Sequence, residues 1–373
     1  MPALLKHIYN DHFFGELTHA LEHSVRVFDK KAFLAAIDGS GWEDKELKQR
    51  MRHISNVLYS HLPGPYPQQL EALLKTIRFL KEHGRPNGGL EHMVFPDFLE
   101  AYGQQHFKIT VAAFEEVTQF ISCEFAVRPF LLMDLDTMMA QMNAWSTHAH
   151  PMVRRLATEG CRPRLPWAMA IPALKKDPAP IFPILERLKN DPSESVRRSV
   201  ANNLNDISKD HPQLLIHLVR QWRPRTKATD QLLKHACRTL LKQGDPEVLQ
   251  LFGFEALAEL KISRFQVHTP EVVEGGLLEF SFDLINDAET DLLVRLEYGI
   301  HYQKANGSLS RKVFKISERI FPERSTTPVR RKQSFRPITT RRFHAGLHQV
   351  SVIVNGQEMA RADFLLQLAR AGQ

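Results

Sequence analysis

The rhythm of apolar and polar positions changes once along the 373-residue chain, near residue 262. Before that point apolar residues recur at helical spacing. In GWEDKELKQRMRHISNVLYSHL, Leu47, Met51, Ile54 and Leu58 fall at i, i+4, i+7 and i+11, one stripe of a helix. Acidic residues crowd the start of that segment, where they complement the helix dipole. The LPGPYP run at 62–67 predicts a break, because its three prolines cannot continue a helix. Further helical patterns cover 68–82, 94–105 and 110–121. After residue 262 the texture becomes alternating and β-branched, as in VVEGGLLEFSFDLIN, DLLVRLEYGIHYQ, SRKVFKISERIF and GLHQVSVIVNG. Turn signals such as Asn306-Gly307 and Asn355-Gly356 separate these segments. Short strands at this spacing predict a β-sandwich of immunoglobulin type. The Cys–Trp–Cys pattern of antibody domains is missing, so that likeness is architectural only.

From residue 150 the helical part repeats itself. HPMVRRLATEG, starting at His150, resembles DPSESVRRSVANNL, starting at Asp191. Val153 and Val196 are 43 residues apart, and Arg238, in HACRTLLKQGDP, lies another 40 beyond Arg198. Such a period is that of HEAT-type helical repeats. Pro151 and Pro192 suit the first turn of a helix, and Asp191 suits the cap of the helix that Pro192 opens. The expected architecture is therefore a multidomain one, α then β. A HEAT-like α-helical solenoid over residues 1–260 precedes an immunoglobulin-like β-sandwich over 265–373, joined near Lys261–Phe265.

Composition narrows the function. No stretch approaches the roughly 18 apolar residues of a membrane span. His7, Asp11 and Glu16 interrupt the N-terminus too early for a signal peptide, so a cytoplasmic protein is expected. Three cysteines (Cys123, Cys161 and Cys237) lie far apart with no CxxC pair, which supports neither a disulfide framework nor a zinc knuckle. The net charge of +7 is unevenly spread. Residues 1–143 hold 14 Lys+Arg against 18 Asp+Glu, 144–240 hold 17 against 8, and 261–373 hold 17 against 12. The middle and the tail thus carry the excess, which suits a polyanionic partner such as nucleic acid.

On a helical wheel, Val196, Val200, Leu204 and Ile207 form the buried stripe of the second repeat. Arg198, Asn202 and Asn205 form a polar line on another face. The matching line one repeat earlier is Arg155, Glu159 and Arg162, and the third repeat offers His235, Arg238 and Lys242. Stacking would set these lines side by side as a concave basic surface holding one carboxylate; the alternative is an ordinary solvated face. Glu159 either pairs with Arg155 or Arg162 on its own helix, or stabilises positive charge on a sugar as a glycosidic bond breaks. Glu124, an isolated acid in QFISCEFAVRPF, is either buried with Arg128 or turned into a site. Trp145, Trp167 and Trp222 gather in the same region, either as core anchors or as surfaces for a base. The HALEH sequence from His19 to His23 matches the H-x-x-E-H zinc-peptidase pattern, but no third ligand stands near it and chance matches are common.

The words HPMVRRLATEGCRPRLPWA, DPSESVRRSVANNLNDISKDHP, the Trp222-Arg223 pair and HACRTLLKQGDPEVLQLFGF resemble the AlkC/AlkD family of alkylpurine DNA glycosylases. The resemblance covers residues 1–258, is strongest from Glu124 to Phe254, and is closer to AlkC than to AlkD. It implies a base-excision-repair enzyme that hydrolyses the N-glycosidic bond of 3-methyladenine and, for AlkC-like members, 3-methylcytosine. Such bases carry positive charge and leave readily, so carboxylate stabilisation of the sugar cation and a positioned water suffice, with no cofactor and no metal. It implies action without full extrusion of the base into a tight pocket. It further implies Glu124 and Glu159 as catalytic carboxylates and Trp167 against the lesion or sugar. DNA contacts are expected from Arg155, Arg162, Arg198, Asn202, Trp222, His235 and Arg238. Some AlkC-like proteins similarly carry an immunoglobulin-like domain. Here Arg324, Arg330, Arg331, Lys332, Arg336, Arg341 and Arg342 cluster in it, as one or two loops expected to touch the DNA backbone. The implied partner is double-stranded DNA containing alkylated bases, met by a monomer. The rival reading is a non-catalytic HEAT-repeat module that binds DNA or protein.

Overall fold

The computed structural model describes residues 4–39, 41–222, 226–254, 258–338 and 342–369. Its helices are α1 (Asp11–Ser24), α2 (Lys30–Asp38), α3 (Leu47–His61), α4 (Tyr66–Glu82), α5 (Val94–Tyr102), α6 (Phe107–Val117), α7 (Arg128–Met133) and α8 (Leu135–Trp145). They continue as α9 (Pro151–Glu159), α10 (Pro172–Lys176), α11 (Phe182–Leu188), α12 (Glu194–Ile207), α13 (Pro212–Trp222), α14 (Lys227–Ala236), α15 (Arg238–Gln243) and α16 (Pro246–Leu251). Eight strands follow: β1 (Leu260–Val267), β2 (Glu271–Val273), β3 (Leu277–Asn286), β4 (Leu292–Gln303), β5 (Leu309–Phe321), β6 (Ser325–Ser334), β7 (Gly346–Val354) and β8 (Gln357–Gln367). The expected order of helices and then strands holds. Among the described residues no helix is long and apolar enough to cross a membrane.

The chain forms two compact units. One comprises residues 4–215 and 226–236; the other comprises Ile216–Trp222 and residues 237–369. The short helices α15 and α16 therefore group with the sandwich, not with the repeats. A close backbone approach within the second unit explains this. Gly244 ends α15 at φ +78, and a Cβ added there would lie 2.6 Å from the carbonyl oxygen of Gly356, in the turn between β7 and β8. Only two glycines in left-handed conformation let these turns meet so closely. The strand texture begins earlier than the alternation suggests, since the proposed junction at Lys261–Phe265 lies inside β1.

In the helical unit, local signals set the ends and stripes set the packing. The Nδ1 of His150 accepts from the backbone N–H of Met152, and Pro151 occupies the first turn of α9. Val196, Val200, Leu204 and Ile207 are buried along α12, as the wheel predicts. Two turn details differ from expectation. Helix α4 starts at Tyr66, so Pro67 belongs to its first turn instead of extending the break. Pro192 stands outside α12, whose N-cap is Ser193; Asp191 instead accepts from the Ser193 N–H at 2.8 Å and ion-pairs with Arg154 at 2.6 Å. Helix α12 packs between α9 and α14, which gives the stacked repeat its physical form.

The sandwich has a three-stranded sheet, ordered β1-β3-β6, and a five-stranded sheet, ordered β2-β8-β7-β4-β5. Pairing is antiparallel except where β2 joins β8. Asn355 and Gly356 both take positive φ, +45 and +80, as a tight hairpin between right-twisted strands requires. Phe280, Phe282, Leu296, Ile300, Val352 and Phe364 fill the interior between the sheets.

Candidate active site

The two glutamates singled out in the sequence meet across one arginine. Glu159 closes the C-terminal end of α9, and Arg155 stands one turn before it. Glu124 lies in the turn preceding α7. The Arg155 Nη1 lies 2.8 Å from Glu124 Oε2, and its Nη2 lies 3.8 Å from Glu159 Oε1. Ser122 supports the first pair: its hydroxyl donates to Glu124 Oε2 at 2.9 Å and accepts from Arg155 at 3.1 Å. The partner of Glu124 is thus Arg155, not Arg128.

Glu159 is only 3% exposed, so its charge depends on the groups around it. Arg162 donates to Glu159 Oε2 at 2.7 Å and, through Nε, to Asp206 Oδ2 at 2.8 Å. The Lys209 Nζ lies 2.9 Å from the other Asp206 oxygen. The amide of Asn202, on α12, donates to Glu159 Oε1 at 3.4 Å, and its oxygen lies 3.1 Å from His235 Nε2 on α14. The polar lines of three successive repeats therefore do join, as a hydrogen-bonded row and not as an open basic surface. Arg162 is buried in it and Asn205 is buried as well, whereas Arg198 is exposed. Arg162 faces carboxylates rather than solvent, so the expected phosphate contact gives way to a role in holding Glu159. Arg155, about a quarter exposed, is likewise committed to two carboxylates.

Arg128 organises the next stretch of chain. It is fully buried, donating through Nε to the Met169 carbonyl at 2.5 Å and through Nη1 to the carbonyls of Gly160 and Arg162 at 3.0 Å each. Burial pushes its pKa down to about 10. These bonds tie the end of α9 to the loop that presents Trp167. That residue has φ +68 and is 65% exposed. A bulky side chain rarely takes a left-handed backbone, and such strain concentrates at functional positions. The Lys48 Nζ bonds the Trp167 carbonyl at 2.5 Å and helps hold it there. Trp145 and Trp222, the other two tryptophans singled out in the sequence, are core anchors. Trp145 is buried, with its indole N–H on Glu115 at 3.0 Å, and Trp222 is buried in the second unit, away from the surface role expected of it.

The remaining expected contacts fall on the second unit or outside the description. Arg238 and Lys242 lie on α15, and Arg223 and Arg341 are outside the described residues. The basic cluster is divided: Arg324, Arg336 and Arg342 lie on loops, as expected, and its other described members lie on a strand. Arg330, Arg331 and Lys332 lie on β6, with Arg330 and Lys332 on its exposed face. Both reach Glu279 on the neighbouring β3, at 2.9 and 2.6 Å, so part of the positive charge is already paired. Pro328 is tolerated because β6 is an edge strand, and its cations guard that edge.

All three cysteines are buried, and burial pushes the Cys161 thiol up to about 12. Among the described residues no three His, Cys, Asp or Glu side chains are arranged to hold a metal. His19 and His23 meet edge to face at 4.5 Å on the exposed face of α1, and the ring of His23 stacks on Phe79.

Comparison with known proteins places this arrangement. Residues 109–240 match the family described as DNA alkylation repair enzyme, and residues 261–368 match the C-terminal Ig-like domain of uncharacterised protein YhaZ. The chain is 45% identical over 362 residues to the uncharacterised protein YhaZ of Bacillus subtilis (strain 168), covering 97% of this chain and 99% of that one. It is similar, with 36% identity and a TM-score of 0.90, to the alkylpurine DNA glycosylase AlkC of Pseudomonas fluorescens, solved bound to DNA containing an abasic site analog. That likeness covers 98% of this chain and all of the other. The chain belongs to the DNA alkylation repair family. Within it, the chain groups with the AlkC-like alkylpurine DNA glycosylases that carry a C-terminal Ig-like domain. The likeness spans both units, so the sandwich is part of the AlkC-like architecture.

Proposed function

We propose that this AlkC-like protein hydrolyses the N-glycosidic bond of cationic N3-alkylated bases in double-stranded DNA, 3-methyladenine and 3-methylcytosine, as a step of base excision repair. The observation that carries the reading is the pair of carboxylates, Glu124 and Glu159, bridged by Arg155 beside the strained, exposed Trp167. An N3-alkylated base already bears positive charge, so the glycosidic bond breaks with little protonation by the enzyme. The demand falls on the sugar, which becomes an oxocarbenium-like cation and is stabilised by fixed negative charge nearby. Carboxylates fixed by the protein supply such charge without reorganising, provided that arginines hold them in place. Arg162 and Arg155 do that here, and Asp206 keeps Arg162 from neutralising Glu159 completely. One carboxylate orients the attacking water while the other faces the sugar. Trp167 lies against the lesion or sugar. Arg198, Asn202, His235 and Arg238 contact the DNA backbone, with Arg331 and Lys332 of the sandwich adding positive charge.

The test is a duplex carrying one 3-methylcytosine, incubated with excess protein and then treated with alkali to cut abasic sites. Strand scission at the lesion is the expected result. DNA binding without scission, from folded protein, would replace the enzyme with a non-catalytic repeat module.

A further inference from the structure

Beside Trp167 the helical unit holds a cavity of about 320 Å3. Its walls come from Met51 on α3, Met93, Phe125, Trp167 and Met169, residues distant in sequence. Phe125, the residue that follows Glu124 in the chain, and Trp167 both line it. Thioethers and aromatic faces together favour a flat, polarisable ring over an aliphatic chain. The volume is near the lower end of the roughly 300–1,000 Å3 of small-molecule sites, the scale of a single heterocycle.

Polar side chains also line the cavity: Tyr9, Arg52, Asp97, Glu100 and Lys48, whose Nζ bonds the Trp167 carbonyl. The Tyr9 side chain is 3% exposed, lines the cavity, and its hydroxyl has no hydrogen-bond partner among the described residues. A buried hydroxyl without a partner points to a missing one. Arg52 engages both oxygens of Asp97, at 2.8 and 2.9 Å. Glu100 is held only at 3.5 Å by the same guanidinium, which leaves its carboxylate able to accept another donor. Burial, and Asp97 beside it, hold the Glu100 carboxyl above its usual range.

We infer that this cavity is a product site that holds the free, amino-substituted heteroaromatic base after its bond to the sugar has broken. The Tyr9 hydroxyl donates to a ring nitrogen, and Glu100 accepts from the exocyclic amine. The ring lies among Met51, Met93 and Phe125, with the Trp167 indole at the cavity's edge. The inference rests on the glycosylase reading and extends it. The carboxylates act on the sugar, and the cavity receives the leaving group.

Isothermal titration of free 3-methyladenine into the intact protein, without DNA, tests it. Saturable one-to-one binding is expected, weakened tenfold or more in Met51→Trp, whose larger side chain occupies the space. Tyr9→Phe, which deletes one oxygen, is expected to weaken binding several-fold and serves if Met51→Trp does not fold. No saturable binding, or binding unchanged in the folded variants, overturns the site. Base release from methylated DNA, measured in parallel, separates the two readings. Release without free-base binding removes the cavity and keeps the enzyme. Free-base binding without release overturns the enzyme and the product role together.

Discussion

Replacing Glu159 by glutamine removes one charge from the site while nearly preserving its shape. Glu159 is buried, so the loss is not repaired by water. A carboxylate about 4 Å from a sugar cation, at an effective dielectric constant of about 20, contributes about 4 kcal/mol. That corresponds to roughly a thousandfold in rate at about 1.4 kcal/mol per decade. Arg162, bonded at 2.7 Å, and Arg155, at 3.8 Å, offset part of that field. The expected loss is therefore between about a hundredfold and a thousandfold, the range seen when a preorganised electrostatic group is removed. Stability should fall less than for an orphaned buried charge, because Arg162 keeps its bond to Asp206. A cost of about 1–3 kcal/mol is expected, that of one charge-assisted hydrogen bond. Single-turnover release of 3-methyladenine reads the first effect, urea denaturation the second, and DNA affinity controls for binding. Excision within threefold of the parent, from a folded variant that binds DNA, would refute the electrostatic role.

Other substitutions separate support from chemistry. Asp206→Ala leaves buried Arg162 with Glu159 alone and should cost about 3–5 kcal/mol in denaturant titration, with slower excision as Glu159 loses its brace. Trp167→Gly should be about 1–2 kcal/mol more stable than Trp167→Ala by thermal unfolding, because only glycine accepts φ +68 freely, while both lose excision. Trp145→Ala should cost about 3–5 kcal/mol and leave DNA affinity per folded molecule unchanged, as for a core anchor. Arg198→Ala, at an exposed position of α12, should flatten the salt dependence of DNA binding by about 0.9 in log–log slope if it meets one phosphate. An unchanged slope would take Arg198 out of the interface.

The fold was legible where periodicity alone determines it. The 43-residue offset between Val153 and Val196 located the stacked helices, and the α12 stripe is buried as its spacing requires. The link from Glu159 to Asn202 spans the same 43 residues, whereas Asn202 to His235 spans 33. What escaped was how deep that row lies. A wheel assigns a face but not what covers it, so Arg162 and Asn205 read as solvated. The signal was present: Arg162 and Asp206 are 44 residues apart and Arg164 and Asp210 are 46, opposite charges one repeat apart that bridge neighbouring repeats. Strand β6 was hidden because Pro328 and three consecutive cations mask its alternation, which an edge strand tolerates. Neither the left-handed backbone of Trp167 nor the cavity beside it has a sequence signature, since residues 9, 51, 93, 125 and 167 are brought together only by tertiary packing.

The central claim is that this chain cleaves glycosidic bonds of alkylated bases, and free base is its direct product. Genomic DNA treated with a methylating agent, incubated with the protein and resolved by chromatography, is the most direct measurement. The account predicts release of 3-methyladenine together with 3-methylcytosine, lost in Glu159→Gln. Absence of both, from folded protein that still binds the DNA, would contradict it.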